Sequence, residues 1–379
     1  MKFIHTADLH LGKRYAGLSL CDDQKYILDE MLKVVDREKP DAFIIAGDVY
    51  DKSVPPESAV ELFDGFLSAL AKRGVKVFIA YGNHDSAERL AFGASLMSPC
   101  GVHVSPIYTG VTEPIALRDE FGSLNVYLLP FIKPATVKRF LGEDISTYTQ
   151  AVAAAIENMK IDPSARNVLV AHQFVTGSLS SGSEEFTVGD VGNVDLEVFK
   201  DFDYVALGHI HGAQNVSKDG RVRYSGTPLK YSLSEKDNKK SLTIVELKGK
   251  GDLKITQAPL TPMRDVKEIR GTYDEITNRA FYENKPFRGD LLHVVLTDED
   301  EVYDAIGKLR IIYPNVMSIR YDNARTKSGA EIEDIAEVAS RSPAELFSAL
   351  YEMQNNRPLS DEQTKIVASL IEKVWGDEQ

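Results

Sequence analysis

Over its first 215 residues the chain alternates short apolar runs with longer stretches of helical period. Five runs, residues 3–6, 42–46, 77–80, 168–170 and 204–207, are largely apolar at successive positions, with His5 and Thr6 the polar exceptions in the first. That pattern predicts strands buried on both faces of a parallel or mixed sheet. Between them, residues 22–39 place Ile27, Leu28, Met31, Leu32 and Val35 on one helical face, and Pro40 stops the helix. Pro55-Pro56-Glu57 opens a second helix with Val60, Leu62, Phe63, Phe66, Leu67 and Leu70, closed by Gly74. A third helix is predicted over 86–97. Residues 173–193 are rich in Gly and Ser, lack an apolar period and read as a long loop. From Arg221 the pattern changes to hairpins: VRYSG, SLTIVELK, then DLKITQAPL.

The later chain divides again. Residues 1–260 form the first predicted domain and 261–325 a small βαβ-type module. Its elements are the strands VKEIRG and LLHVVLTD, the helix EVYDAIGKLRIIY and the strand VMSIRYD. The polar, acidic stretch 326–340 reads as a linker. Residues 341–379 hold two short helices, one with Leu346, Phe347, Leu350 and Tyr351, the other with Ile366, Val367, Leu370, Ile371, Val374 and Trp375. Pro358 and Ser360 mark the turn between them. Two short amphipathic helices bury little alone. Their apolar stripes either bind a partner or fold back on the first domain.

Composition adds limits. The chain has 379 residues, 43% hydrophobic and 27% charged, as expected of an ordinary multidomain protein. No apolar run is long enough to span a bilayer, and His5 and Asp8 fall where a signal peptide needs apolar residues. Cys21 and Cys100 are the only cysteines and lack metal-site spacing. A cytoplasmic protein is expected. The net charge of −13 argues against coating nucleic acid by bulk electrostatics. It leaves a nuclease open, since metal charge can hold a phosphate on an acidic protein.

The chemistry sits just past the apolar runs. Seven metal-capable side chains follow them: Asp8 and His10, Asp48, Asn83, His172, and His209 and His211. Residues at strand ends converge on one sheet edge, where α/β proteins keep their sites. In Asp8-x-His10 and His209-x-His211, alternate residues of an extended segment face one way. Asp48 offers two oxygens suited to bridging two ions, and Gly47 lets the backbone approach closely. Four imidazoles disfavour calcium or magnesium, and mixed N/O ligation suits manganese, iron or zinc. Two divalent ions against Asp8 and Asp48 would leave the site at +2, fit for an anionic phosphodiester. His84 can protonate a leaving oxygen or bond a phosphoryl oxygen, with Asp85 to orient it. Lys13, Arg14, Tyr15, Lys52, Ser53 and Arg89 flank the same loops as phosphate contacts or as solvated charges.

Taken singly, these features are weak. Gly-Asp and Gly-Asn are ordinary turn chemistry, and a histidine after a strand is commonly a packing residue. Together they differ, because five of the eight histidines fall in these blocks.

The ordered set DLH, GDVYD, GNHD, AHQ and GHIH resembles the calcineurin-like metallophosphoesterase superfamily over residues 1 to about 215. FIHTADLHLGK, GDVYDKSVPP, GNHDSAERL, YSGTPLKYSLSE and TPMRDVKEIRG make nearly the whole chain similar to the SbcD family, the nuclease subunits of bacterial SbcCD complexes. The final helices match by position and character only. The resemblance implies an α/β (α+β) fold: a β-sandwich of two mixed sheets flanked by helices, a small α/β capping domain and C-terminal helices. It implies that Asp8, His10, Asp48 and His211 hold one ion, that Asp48, Asn83, His172 and His209 hold the other, and that His84 is catalytic. It further implies Mn2+ as cofactor, DNA ends and hairpins as substrates in repair, recombination and replication, and exonuclease and endonuclease activity. The implied partners are the SbcC coiled-coil ATPase, bound by the C-terminal helices, and a second copy, bound through about 56–72 and 86–97. A small-substrate phosphodiesterase or phosphatase, and a scaffold without catalysis, are the competing readings. The capping module and helical tail argue against the first, and the complete ligand set with His84 argues against the second.

Overall fold

The computed structural model describes residues 1–142, 144–180, 192–323, 326, 343–355 and 357–375. It divides into two compact units, Met1–Val266 and Lys267–Gln379. Among the described residues, no helix is long and apolar enough to cross a membrane.

The first unit is built on two six-stranded mixed sheets. One runs in the order Leu253–Pro259, Ser241–Leu247, Lys2–Thr6, Ala42–Ala46, Lys76–Ala80, Val102–Val104. The other runs Gln214–Asn215, Val222–Tyr224, Tyr204–Gly208, Arg166–His172, Gly122–Leu129, Ile115–Asp119. Period-two alternation sorts the apolar side chains of the second sheet between two cores. Leu124, Val126, Leu128, Val168, Val170, Tyr204 and Ala206 face Phe3, Ile44, Phe78 and Val245 of the first sheet. Tyr127, Leu129, Leu169, Ala171, Val205 and Leu207 face outward onto Val152, Ala155 and Ile156 of the helix Tyr148–Asn158. Strands buried on both faces must be apolar throughout, which is why the runs showed no alternation in the sequence. The outer face of the first sheet meets the helix Glu57–Lys72, with Phe43 edge-on to Phe66 at 5.5 Å.

The five chemistry-bearing runs therefore do not share one sheet. Three end in the first sheet and two in the second, and the site lies where the two sets of strand ends meet. Here the backbones come too close for a side chain. A Cβ on Gly208 would stand 1.7 Å from the Ala46 carbonyl oxygen. One on Gly47, whose φ is +90°, would stand 2.0 Å from His172 Nδ1. The predicted role of Gly47 is met in this form.

The helix predicted over 22–39 spans Cys21–Glu38, ended by Lys39 at φ 47° before Pro40. The helix predicted over 86–97 is instead two short ones, Ala87–Leu90 and Ala94–Met97, because Gly93 takes φ 73° between them. VRY and SLTIVEL do not pair: Val222–Tyr224 lies in the second sheet, and Ser241–Leu247 forms its hairpin with Leu253–Pro259 in the first. Both segments are apolar and short, so nothing local assigned them to different sheets. The predicted loop 173–193 begins and ends in a parallel pair, Phe174–Val175 with Asn193–Val194. Its residues 181–191 lie outside the described residues.

Three strands, Val266–Gly271, which starts at the last residue of the first unit, Leu291–Leu296 and Val316–Tyr321, form the sheet of the second unit. Ile269, Ile276, Leu292, Val294, Leu309 and Tyr313 make its core. The short helices Tyr273–Thr277 and Arg279–Tyr282, not foreseen, carry the chain between the first two strands. The predicted linker 326–340 lies outside the described residues except Thr326. The helices Pro343–Asn355 and Asp361–Trp375 form as expected. Ser360 and Gln363 cap the second reciprocally, at 2.9 and 3.2 Å. Phe347, Leu350, Ile366 and Leu370 remain about half exposed.

At the end of the sandwich opposite the site, Arg166 joins both sheets. Its side chain is 2% exposed. It donates to both oxygens of Asp119, to Gly122 O, and to Leu247 O and Lys248 O of the other sheet. The Arg166 hydrogen bonds hold the Asp119 carboxyl well below the usual carboxylate range. A depressed carboxylate contributes stability above its unfolded value, near 4, and loses it as pH falls below that. Asp119→Ala, which leaves Arg166 buried without its anion, is expected to cost about 3 kcal/mol at neutral pH. Urea denaturation across pH checks this: the gap between the two proteins should be full above about pH 4 and should narrow below it.

Candidate metal centre

Two loops from the first sheet are zipped together before any ligand is considered. Asp8 N–H donates to Gly47 O at 3.0 Å, His10 N–H to Asp48 O at 3.0 Å and Leu11 N–H to Val49 O at 2.9 Å. These loops, and the one after Tyr204–Gly208 in the second sheet, leave their strands in an unusual conformation. Asp8 (φ 53°), His10 (φ 43°), Asp48 (φ 46°) and His209 (φ 102°) all have positive φ. Asp and His tolerate this region better than most residues, at a cost of about 1–3 kcal/mol each, typical of functional sites. Asp8 and His10 thus share a direction because both turn left-handed. The extended alternation expected from the sequence is corrected on this point.

All seven candidate ligands come together. Asp8, His10, Asp48, His172, His209 and His211 are each no more than 9% exposed. Two sets can be distinguished. In one, donor atoms of Asp8, His10 and His211 gather within 4.8 Å of one another, with His10 Nε2 facing His211 Nε2 at 3.3 Å. In the other, Asn83 Oδ1 lies 3.0 Å from His172 Nε2 and 3.1 Å from His209 Nδ1. Asp48 Oδ2 stands between the sets, 3.3 Å from His172 Nε2 and 3.9 Å from His10 Nε2. Ligand atoms at about 2.1 Å from a shared ion sit about 3 Å apart when their bonds are near perpendicular. Nitrogen facing nitrogen at this spacing makes a good pair of ligands and a poor hydrogen bond. The donor set fits two divalent ions.

The electrostatics point the same way. Burial pushes the Asp8 carboxyl up to about 7, with Asp48 adding to the rise and His172 opposing it. Burial also acts to raise Asp48, but His172, His10 and His84 together hold it well below the usual range. Burial acts to lower His172, and Asp48 overcomes this to raise it to about 9. Two carboxylates in one dry space repel each other, and positive charge is what that space favours.

His84 is oriented through its backbone neighbour. Its Nδ1 lies 3.0 Å from the Asp51 carbonyl, which leaves Nε2 toward the centre, 3.9 Å from Asp48 Oδ2. The expected role of Asp85 is corrected. Its carboxylate accepts the N–H groups of Val49 (3.1 Å), Tyr50 (2.9 Å) and Gly82 (2.9 Å), binding the Asp48 loop to the Asn83 loop. Burial, then the Asp48 charge, raises it to about 6. Lys13 pairs with Asp51 at 2.6 Å, while Arg14, Lys52, Ser53 and Arg89 are exposed.

Several residues around the centre were not foreseen. Gln24 Nε2 donates to His10 O at 2.7 Å, the Tyr231 hydroxyl donates to Leu9 O, and Glu235 Oε1 lies 3.2 Å from His211 Nδ1. Gln24 reads as one more polar residue of an amphipathic helix, and Glu235, in SLSEKD, as a solvated charge. The one available signal was the place of Gln24 on the buried face, a turn before Leu28.

Residues 1–213 match the family model described as calcineurin-like phosphoesterase. Residues 262–355 match the SbcD C-terminal model, described as type 5 capsule protein repressor C-terminal domain. Among solved structures, TT1561 of Thermus thermophilus is 14% identical over 68% of this chain and 98% of its own, with a TM-score of 0.40. A dimetal phosphatase from Danio rerio is 11% identical over 69% and 99%, with a TM-score of 0.37. The phosphoesterase Yfce from E. coli is 13% identical over 69% and 100%, with a TM-score of 0.28. Since the first model covers more than half of the 379 residues, the chain belongs to the calcineurin-like phosphoesterase family of phosphoester hydrolases, in the SbcD-type arrangement that the second match marks.

Proposed function

We propose that this protein is the nuclease subunit of an SbcCD-type complex, hydrolysing DNA phosphodiesters in the cytoplasm with two Mn2+ ions. The observation that carries the reading is the occurrence, in one chain, of clustered candidate ligands at Asp8, His10, Asp48, His172 and His211 and of an SbcD-type segment at 262–355. Asp8, His10, Asp48 and His211 would hold one ion, and Asp48, Asn83, His172 and His209 the other. The ions, when bound, would supply Lewis acidity and offset the charge of the phosphodiester.

The chain's own side chains do the rest. Asp48 holds the two donor sets in register. Asp85 ties the loops carrying Asp48 and Asn83, so both ligands move as one body. His84, with Nδ1 on the Asp51 carbonyl, presents Nε2 to a phosphoryl oxygen or to the leaving oxygen, which it can protonate. Exclusion of water by the sandwich strengthens each of these interactions.

The C-terminal helices are the proposed seat of the SbcC ATPase. The half-exposed Phe347, Leu350, Ile366 and Leu370 support this, since exposed apolar stripes favour a partner. A homodimer through 56–72 and 86–97 is supported by Phe92 and Leu96, 85% and 82% exposed, and by Val60.

Two experiments test the reading. With Mn2+ and SbcC, the protein should cut a blunt duplex or hairpin DNA far faster than a nitrophenyl phosphate ester. Asp8→Ala and His84→Ala should each lower DNA cleavage at least 100-fold, the scale of losing a catalytic proton donor or more, and leave SbcC binding intact. Preference for the small ester would favour the phosphatase reading, and inactivity of the wild type on both would favour the scaffold. Second, deleting the residues after Glu337 should abolish co-purification of SbcC while sparing Mn2+-dependent cleavage of short substrates. Undiminished SbcC binding would rule out the helical tail as the docking element.

A further inference from the structure

Residues 214–261 fall between the two matched segments and supply none of the seven candidate ligands. They nevertheless close around two of them. We propose that Glu235, with Lys240 as its counter-charge, is a positioning residue of the metal centre: it fixes the His211 ring so that Nε2 is the nitrogen offered to the ion. This rests on the reading that the centre binds divalent metal.

The geometry is that of a built support. Glu235 has a fully buried side chain, and Lys240 is 5% exposed. Glu235 Oε1 lies 3.2 Å from His211 Nδ1 and accepts Tyr231 N–H at 3.3 Å. Its Oε2 accepts Lys240 Nζ at 2.5 Å and the Thr227 hydroxyl at 3.2 Å. Lys240 Nζ also donates to the His211 carbonyl at 3.1 Å. The pair therefore grips His211 twice, by ring and by backbone. Donation from Nδ1 leaves the lone pair on Nε2, which faces His10 Nε2 at 3.3 Å. A carboxylate behind a ligating imidazole fixes its tautomer and raises its basicity.

A purely structural role explains the pair poorly. Burying two charges costs more in desolvation than their attraction commonly returns, and apolar side chains of like volume would hold the loop at least as well. Among the described contacts, the two charges bond each other, His211, Thr227 and, for Glu235, Tyr231 and Ser232 just before it in the chain. Tyr231, from the same segment, donates to Leu9 O and so also steadies the Asp8–His10 loop.

The test uses the full chain and two readouts other than activity. Histidine tautomers are assigned by 15N NMR in metal-free protein, and MnCl2 binding is followed by calorimetry and electron paramagnetic resonance. Wild-type His211 should be the Nδ1–H tautomer. Glu235→Leu/Lys240→Met removes both charges together, which favours retention of the fold. It should lose that tautomer preference and weaken one of the two Mn2+ sites by roughly 10–100-fold, leaving the other unchanged. A folded variant with the wild-type tautomer and both affinities intact overturns the proposal. If the double variant does not fold, Glu235→Gln decides: weakening of one site by at least about threefold supports positioning, and unchanged affinities reject it. If the wild type itself binds no Mn2+, the metal reading fails, and the tautomer measurement still decides whether Glu235 orients His211.

Discussion

The Asp48 carboxylate is the point on which the site depends. It sits where two sheets end face to face, within 4 Å of nitrogens on His10, His84 and His172. Burial alone would drive such a group to its neutral form, and the surrounding imidazoles, His172 first, hold it ionised. Those imidazoles come from three different strand ends in two sheets. The charge state of one residue therefore requires that the sandwich be closed. The reverse also holds, because closure brings Asp8 and Asp48 into one dry space and creates the demand for positive charge. The glycines follow from the same demand. With Gly208 pressed on the Ala46 carbonyl and Gly47 on His172, no larger residue would let the sheet ends approach this closely.

What could be read in the sequence was what local chemistry determines. Asp8, His10, Asp48, Asn83, His172, His209 and His211 were legible because each follows an apolar run, and runs of that kind end at strand termini. The helices Cys21–Glu38 and Glu57–Lys72 were legible because their period and stops are local. Sheet membership was not. Ala42–Ala46 and Tyr204–Gly208 look alike as sequence, yet one belongs to each sheet. Only the pairing of distant strands separates them. The same reason hid the split between Val222–Tyr224 and Ser241–Leu247. The two short helices at 87–97 were missed because a single Gly93 inside an apolar pattern reads as tolerable until its φ is known.

The supporting residues were illegible for a different reason. A ligand announces itself by type and place, whereas the residue behind a ligand has only to arrive there in three dimensions. Sequence adjacency alone makes Asp85 the expected orienter of its neighbour His84. In the fold that carboxylate takes three backbone N–H groups, and the carbonyl of Asp51, more than thirty positions away, meets His84. Glu235 is the extreme case. It is a charged residue in a run of polar ones, and it is fully buried.

The left-handed backbone at Asp8, His10, Asp48 and His209 gives these supports their purpose. Three loops held in costly conformations at four candidate ligand positions relax unless something opposes this. The opposition is visible: Gln24 on His10 O, Tyr231 on Leu9 O, Asp85 on the Asp48 loop, and the His209 N–H bonded to both Asp8 oxygens at 3.0 and 3.1 Å. Gln24 belongs to the first helix, and Tyr231 to the segment beyond the phosphoesterase match. The geometry of the candidate ligands is thus set partly by residues outside the five motifs that carry them. Seven candidate ligands identify a class of chemistry, and in this chain their placement also depends on Gln24 and Tyr231, which lie outside the motifs that carry them.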